Sequence, residues 1–240
     1  MTGELLFSPT ALYFGTALAL ALGALGFFSR VAVASGHRRS ILLLGTLPAV
    51  FMAATYVMMG LELLTVTVTG TGGREQSVVR FFAYTGVLAI VVYILRELVH
   101  LSNKQFVMLL VPFVALPWFA LASWVTTGVG ESLMSGGAFL SYIVGAYLLY
   151  GPLSRVASRA SGERRLLYVK ITHLAVLCWG GLILTSALSE QAAGILDFFV
   201  GQLVASYIDL IFMLVFAALV YNNRDLFSSD GKRDQTEETA

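Results

Sequence analysis

Gly201-Gln-Leu-Val-Ala-Ser-Tyr-Ile-Asp-Leu-Ile-Phe-Met-Leu-Val-Phe-Ala-Ala-Leu-Val220 is an almost unbroken apolar run with one carboxylate, Asp209, near its middle. A run of about 20 such residues is long enough to cross the hydrocarbon of a bilayer as a helix. An ionised side chain at the centre of that helix costs about 2.5–3.5 kcal/mol on insertion scales, so Asp209 requires a reason to be there. Asp209 and Met213 stand four apart and therefore share one helix face, one turn apart.

The rest of the chain agrees with a membrane setting. Of its 240 residues 58% are hydrophobic and only 12% charged, against about 25% charged in soluble domains. The mean hydropathy is +0.82. Seven stretches reach spanning length: Pro9–Phe28, Ile41–Val66, Val78–Val99, Phe106–Val125, Ala138–Leu153, Leu166–Leu188 and Ile195–Asn222. The fifth is the weakest, hemmed in by Gly136-Gly137 and Gly151-Pro152. Short polar connections at Thr69–Ser77, Thr126–Gly137 and Ser189–Gly194 separate successive spans. The expected architecture is an all-α bundle of seven transmembrane helices over residues 1–227. Arg224–Ala240 reads as polar and disordered, with 228–240 forming a cytoplasmic tail. The N-terminus lacks the positive region of a cleaved signal peptide, so the first run reads as a retained helix.

Charge sets the expected orientation. With seven spans, Arg30, Arg38, Arg39, Arg96, Lys104, Arg155, Arg159, Arg164, Arg165, Lys170, Arg224, Lys232 and Arg233 fall on one side, and only Arg74 and Arg80 on the other. The positive-inside rule then puts the N-terminus outside and the C-terminus in the cytoplasm, in a multi-pass cell-membrane protein. Pro112 and Pro117 are expected to bend the fourth span, for packing or as a hinge.

Several segments, in order along residues 9–227, resemble the microbial (type I) rhodopsins, haloarchaeal ones especially. They are Arg39-Ser-Ile-Leu-Leu-Leu-Gly-Thr-Leu-Pro-Ala-Val50 with Tyr56 following, Val79-Arg-Phe-Phe-Ala-Tyr84, Trp179, Ser189-Glu-Gln-Ala-Ala-Gly194, and Asp209 in the last span. The resemblance implies a retinal pocket walled by Tyr56, Tyr84 and Trp179, with Arg80 beside Asp209. The family's retinal is a Schiff base on a lysine, and Met213 stands at the matching position. A thioether cannot form a Schiff base. The chain's three lysines, Lys104, Lys170 and Lys232, lie in a loop, at a helix edge and in the tail. By the same matching, Ala83 replaces the primary proton acceptor and Ile94 the cytoplasmic donor. Ala89 and Ile183 replace prolines, and Ser186 a second pocket tryptophan. A rhodopsin fold without covalent retinal or a proton path is the expectation.

The remaining polar groups admit more than one reading. Arg80 and Asp209 form either an inherited binding or switch site or a structural ion pair fixing helix register. Glu62 is placed near the outer end of the second span. His173, about two turns into the sixth span, is a protonation switch or is simply bonded to a carbonyl. Cys178 reads as a small buried hydrophobe. The small residues around Gly15, Gly23 and Gly26 serve internal packing or a homo-oligomer contact. The basic segment Ser154–Arg165 meets anionic lipid, or with the tail docks a cytoplasmic or membrane signalling partner.

No metal-binding or catalytic spacing appears, so neither a metal centre nor enzymatic activity is expected. A nucleic-acid partner is not expected either. Three functions stay open. The first is a receptor-like sensor or regulator without covalent retinal. The second is a non-covalent binder of retinal, a carotenoid or another lipophilic ligand. The third, a light-driven pump or channel, is opposed by Met213, Ala83 and Ile94.

Overall fold

The computed structural model describes residues 8–32, 34–68, 75–190 and 192–227. Seven long helices appear in chain order: α1 Pro9–Val31, α2 Gly36–Gly60, α3 Val79–Val99, α4 Asn103–Val125, α5 Val129–Tyr150, α6 Gly162–Leu188 and α7 Phe198–Asn222. All seven are long and apolar enough to cross a membrane. Each packs on its sequence neighbour. The circuit closes where α7 lies on α1 and α2, and α3 also meets α6. α3 is the central helix, with Val87, Leu88, Val91, Val92, Ile94 and Leu95 all buried.

Local chemistry sets the helix ends. Ser8 accepts from the Ala11 amide and Pro9 occupies the first turn of α1, where its missing N–H costs nothing. Ser102 and Gln105 form a reciprocal capping box on α4. Asp197 accepts from the Val200 N–H at 2.8 Å and starts α7. Pro48, Pro112 and Pro117 all lie inside continuous helices and are buried.

The second span is shorter at its C-terminal end than its apolar run. α2 stops at Gly60, and Glu62 and Leu64 take left-handed backbone with φ of 55° and 50°. The chain then pairs Thr65–Thr67 (β1) antiparallel with Glu75–Ser77 (β2), so Val66 belongs to a hairpin and not to the helix. A β-branched run of Thr and Val suits a strand as well as a span, and hydropathy does not separate the two. At its N-terminal end α2 begins earlier than Ile41, because His37-Arg-Arg39 forms its first turn outside the apolar stretch.

The fifth span also differs from expectation. Helix α5 begins at Val129 and runs through Gly136-Gly137, leaving only Thr126–Gly128 as connection to α4. A side chain at Gly137 would meet the Phe119 ring at 2.9 Å. Gly137 is therefore a point of close helix approach rather than a break, while Gly136 faces open space and lines a cavity. At the other end Gly151 interrupts the helix, and Pro152–Ala157 continues as a short separate turn. Most of the basic Ser154–Arg165 segment is thus helix end rather than free loop. The seventh helix starts at Phe198, with Ile195 in the connection. Arg224–Phe227 forms a 3-10 turn with Phe227 buried, so the tail does not begin at Arg224. The expected disorder of 228–240 lies outside the described residues, as do Arg74, Lys232 and Arg233 of the charge count.

Candidate functional site

α7 buries Ala205, Ser206, Asp209, Phe212, Met213 and Phe216, a helical stripe facing the bundle. Asp209 is 1% exposed. Its oxygens are met by two phenols: Tyr56 donates to Oδ2 at 2.7 Å, and Tyr84 donates at 2.9 Å to both oxygens. Arg80, at 8% exposure, does not hydrogen-bond the carboxylate. Its Nη2 donates to Tyr56 Oη at 2.8 Å, and its Nη1 to Gln202 Oε1 at 3.1 Å. The shortest charge-to-charge distance is 3.8 Å, from Arg80 Nε to Asp209 Oδ2. The expected Arg80–Asp209 pair therefore exists, with the Tyr56 hydroxyl bridging it by donating to one partner and accepting from the other. The guanidinium also sits 5.2 Å from the Tyr56 ring centre, a cation–π contact.

Three helices bring these groups together: α2 supplies Tyr56, α3 supplies Arg80 and Tyr84, and α7 supplies Gln202 and Asp209. Two donors on one buried carboxylate, plus a nearby cation, are what low dielectric requires if both charges persist. Trp179 of α6 packs edge-on to Tyr84 with centroids 4.8 Å apart. Met213 is fully buried one turn further along α7, between Phe212 and Phe216, which stack with each other at 6.1 Å.

Sequence reasoning missed Gln202. It lies seven residues before Asp209, two turns along the same face, and that spacing was the available signal. Other candidates lie away from the cluster. Glu62 is exposed beyond the end of α2. His173 is exposed on the outer face of α6, with Nδ1 2.7 Å from the Val169 carbonyl. Lys104 and Lys170 are exposed. Among the described residues, no group of three or more His, Cys, Asp or Glu side chains could hold a metal.

Beside the cluster lies a cavity of about 510 Å³ among α3, α4, α5, α6 and α7, reaching out to the connection before α7. Tyr84, Trp179, Arg80 and Gln202 line it, whereas Tyr56, Asp209 and Met213 do not. A second cavity of about 350 Å³ lies under the hairpin on the other side of Arg80. The expected retinal-pocket residues are thus split: Tyr84 and Trp179 wall open space, and Met213 is in packed core. The lining of the larger cavity contains no lysine, so its donor set does not fit a covalently held retinal.

No family model matches the sequence. The chain is 26% identical over 205 residues to sensory rhodopsin-2 of Natronomonas pharaonis, covering 84% of this chain and 83% of the relative. The thermophilic rhodopsin of Rubrobacter xylanophilus superposes with a TM-score of 0.84 at 17% identity, over 92% of this chain and 98% of that one. The light-driven proton pump of Coccomyxa subellipsoidea gives 0.82 at 16% identity, over 90% and 96%. The transmembrane domain of the Salpingoeca rosetta rhodopsin phosphodiesterase gives 0.78 at 15%, over 90% and 84%. This chain is a multi-pass membrane protein with the seven-helix fold of the microbial rhodopsins, similar in sequence over most of its length to a sensory rhodopsin.

Proposed function

We propose that the protein is a receptor-like sensor or regulator in the cell membrane, non-pumping and without covalent retinal. In this reading its N-terminus is outside and its C-terminus cytoplasmic, and it signals to a cytoplasmic or membrane partner. The observation that carries the reading is the amine-free core: Met213 is buried one turn from Asp209, and the described lysines are exposed. A Schiff base needs a primary amine within reach of the pocket. The alanine at 83 and the isoleucine at 94, which is fully buried, also put no carboxylate at the two α3 positions where a proton relay would need one. The relative named a sensory rhodopsin is consistent with a signalling role. The clustered basic ends of α5 and α6 and the residues beyond Phe227 are the proposed partner surface, alongside membrane lipid. No enzymatic step is assigned to the site.

A second reading, non-covalent binding of retinal, a carotenoid or another lipophilic ligand, is favoured by the cavity beside Tyr84 and Trp179. An absorption spectrum of the purified protein, before and after adding all-trans retinal, tests both. No visible band supports the sensor reading without pigment. A band close to that of the free pigment supports non-covalent binding. A red-shifted band that bleaches with hydroxylamine overturns the absence of a reachable amine.

A further inference from the structure

We propose that the 510 Å³ cavity is the binding site for a single-chain amphipathic anion, with its carboxylate at Arg80 and Gln202 and its apolar body along Leu116, Trp179 and Ile183. The inference rests on the receptor reading and gives it a ligand class. The volume lies within the roughly 300–1,000 Å³ of small-molecule sites. The lining includes Phe81, Leu116, Trp179, Leu182 and Ile183, which suit a chain or polyene.

The polar end is specific in chemistry. A guanidinium carries five N–H donors. Among the described residues Arg80 makes two hydrogen bonds, to Tyr56 and Gln202; Nε makes none but is buried against Asp209, so the spare donors are the second N–H groups of Nη1 and Nη2. Asp209 does not take up the remainder, because its nearest approach to the guanidinium is 3.8 Å. Gln202 accepts from Arg80 through Oε1, so its amide NH2 remains a donor beside the same cavity. Donors without an acceptor beside an apolar cleft match a carboxylate, whose two oxygens a guanidinium can engage together. The other charged groups lining the cavity are Glu190 and Asp197, both exposed at its rim. They disfavour an anion at the mouth and leave the buried guanidinium as its seat. The second cavity contains Glu62 and Glu75 and is a poor place for the same head group.

The test uses the full chain in nanodiscs and two probes: cis-parinaric acid, a fluorescent eighteen-carbon polyene carboxylate, and its methyl ester. Energy transfer from Trp124 and Trp179, which line the cavity, reports binding. The acid is expected to bind at least about tenfold more tightly than the ester, the usual worth of a charge-assisted hydrogen bond. Arg80→Gln should bring the acid to the ester's affinity. Gln202→Leu, which keeps both tyrosines on Asp209 but removes one partner of Arg80, should reduce the preference if Arg80→Gln fails to fold. Ala205→Phe, filling the cavity from α7, should abolish binding of both probes while circular dichroism stays unchanged. Acid and ester are compared at one fixed lipid concentration, because both partition into the bilayer. Equal affinity of acid and ester, no transfer in the wild type, or unchanged binding by a folded Ala205→Phe overturns the proposal. A hydroxylamine-sensitive retinal band would sink the receptor reading instead, independently of the acid–ester ratio.

Discussion

Replacing Asp209 by alanine removes the acceptor of two buried phenols and, among the described residues, the only carboxylate within 4 Å of Arg80. Arg80 then remains a buried cation, held by Gln202 and by a Tyr56 hydroxyl that has lost its own acceptor. Breaking a buried pair by deleting one partner costs about 3–5 kcal/mol. That corresponds to roughly two to four orders of magnitude in the folding equilibrium. Arg80→Gln should cost a similar amount by stranding the carboxylate. The double variant, with neither charge left, should cost clearly less than the sum, with a coupling of about 1–3 kcal/mol. The assay is equilibrium unfolding by SDS titration in mixed micelles, following the helical circular dichroism of wild type, both single variants and the double. A loss below about 1 kcal/mol for Asp209→Ala, or additive single effects, would refute the view that these two charges are held against each other through Tyr56.

The other expectations can be checked more briefly. Tyr56→Phe removes the bridging hydroxyl and should cost about 1–3 kcal/mol by the same titration. Gly137→Leu drives a side chain into the Phe119 ring and should destabilise by about 1–3 kcal/mol or force α4 and α5 apart. An unchanged midpoint would show that the contact is slack. Phe227→Ala empties a buried position at the α2–α3 end and should cost about 3–5 kcal/mol, read as a lower thermal midpoint. Met213→Lys should not create an efficient proton pump on adding retinal. Ala83 and Ile94 still offer no carboxylate, and light-driven acidification by vesicles carrying that variant would refute this account of α3.

Much of the bundle was legible before any coordinate. Each span is a statement about the solvation of its own residues, and Asp209 stands out because it violates that statement. Helix ends were less legible. The His37-Arg-Arg39 turn is polar yet helical, and Thr65–Thr67 is apolar enough to extend a span yet pairs as a strand. Gly136-Gly137 looks like a breaker in one dimension, yet the helix runs through it and Gly137 is a packing contact in three. The site was half visible: Tyr56, Arg80, Tyr84 and Asp209 do converge, while Gln202 was overlooked and Met213 lies outside the cavity.

By itself the sequence determined the membrane setting, seven apolar helices and one carboxylate in need of partners, because hydropathy acts residue by residue. The identity of those partners was decided only by tertiary structure. Tyr56 reaches Asp209 across 153 positions, and Tyr84 across 125. Such contacts depend on how each helix is rotated and how closely its neighbours approach, and these follow from packing across the whole bundle. The same packing closes the core around Met213 and leaves open space beside Arg80. Along the chain, nothing distinguishes those two places.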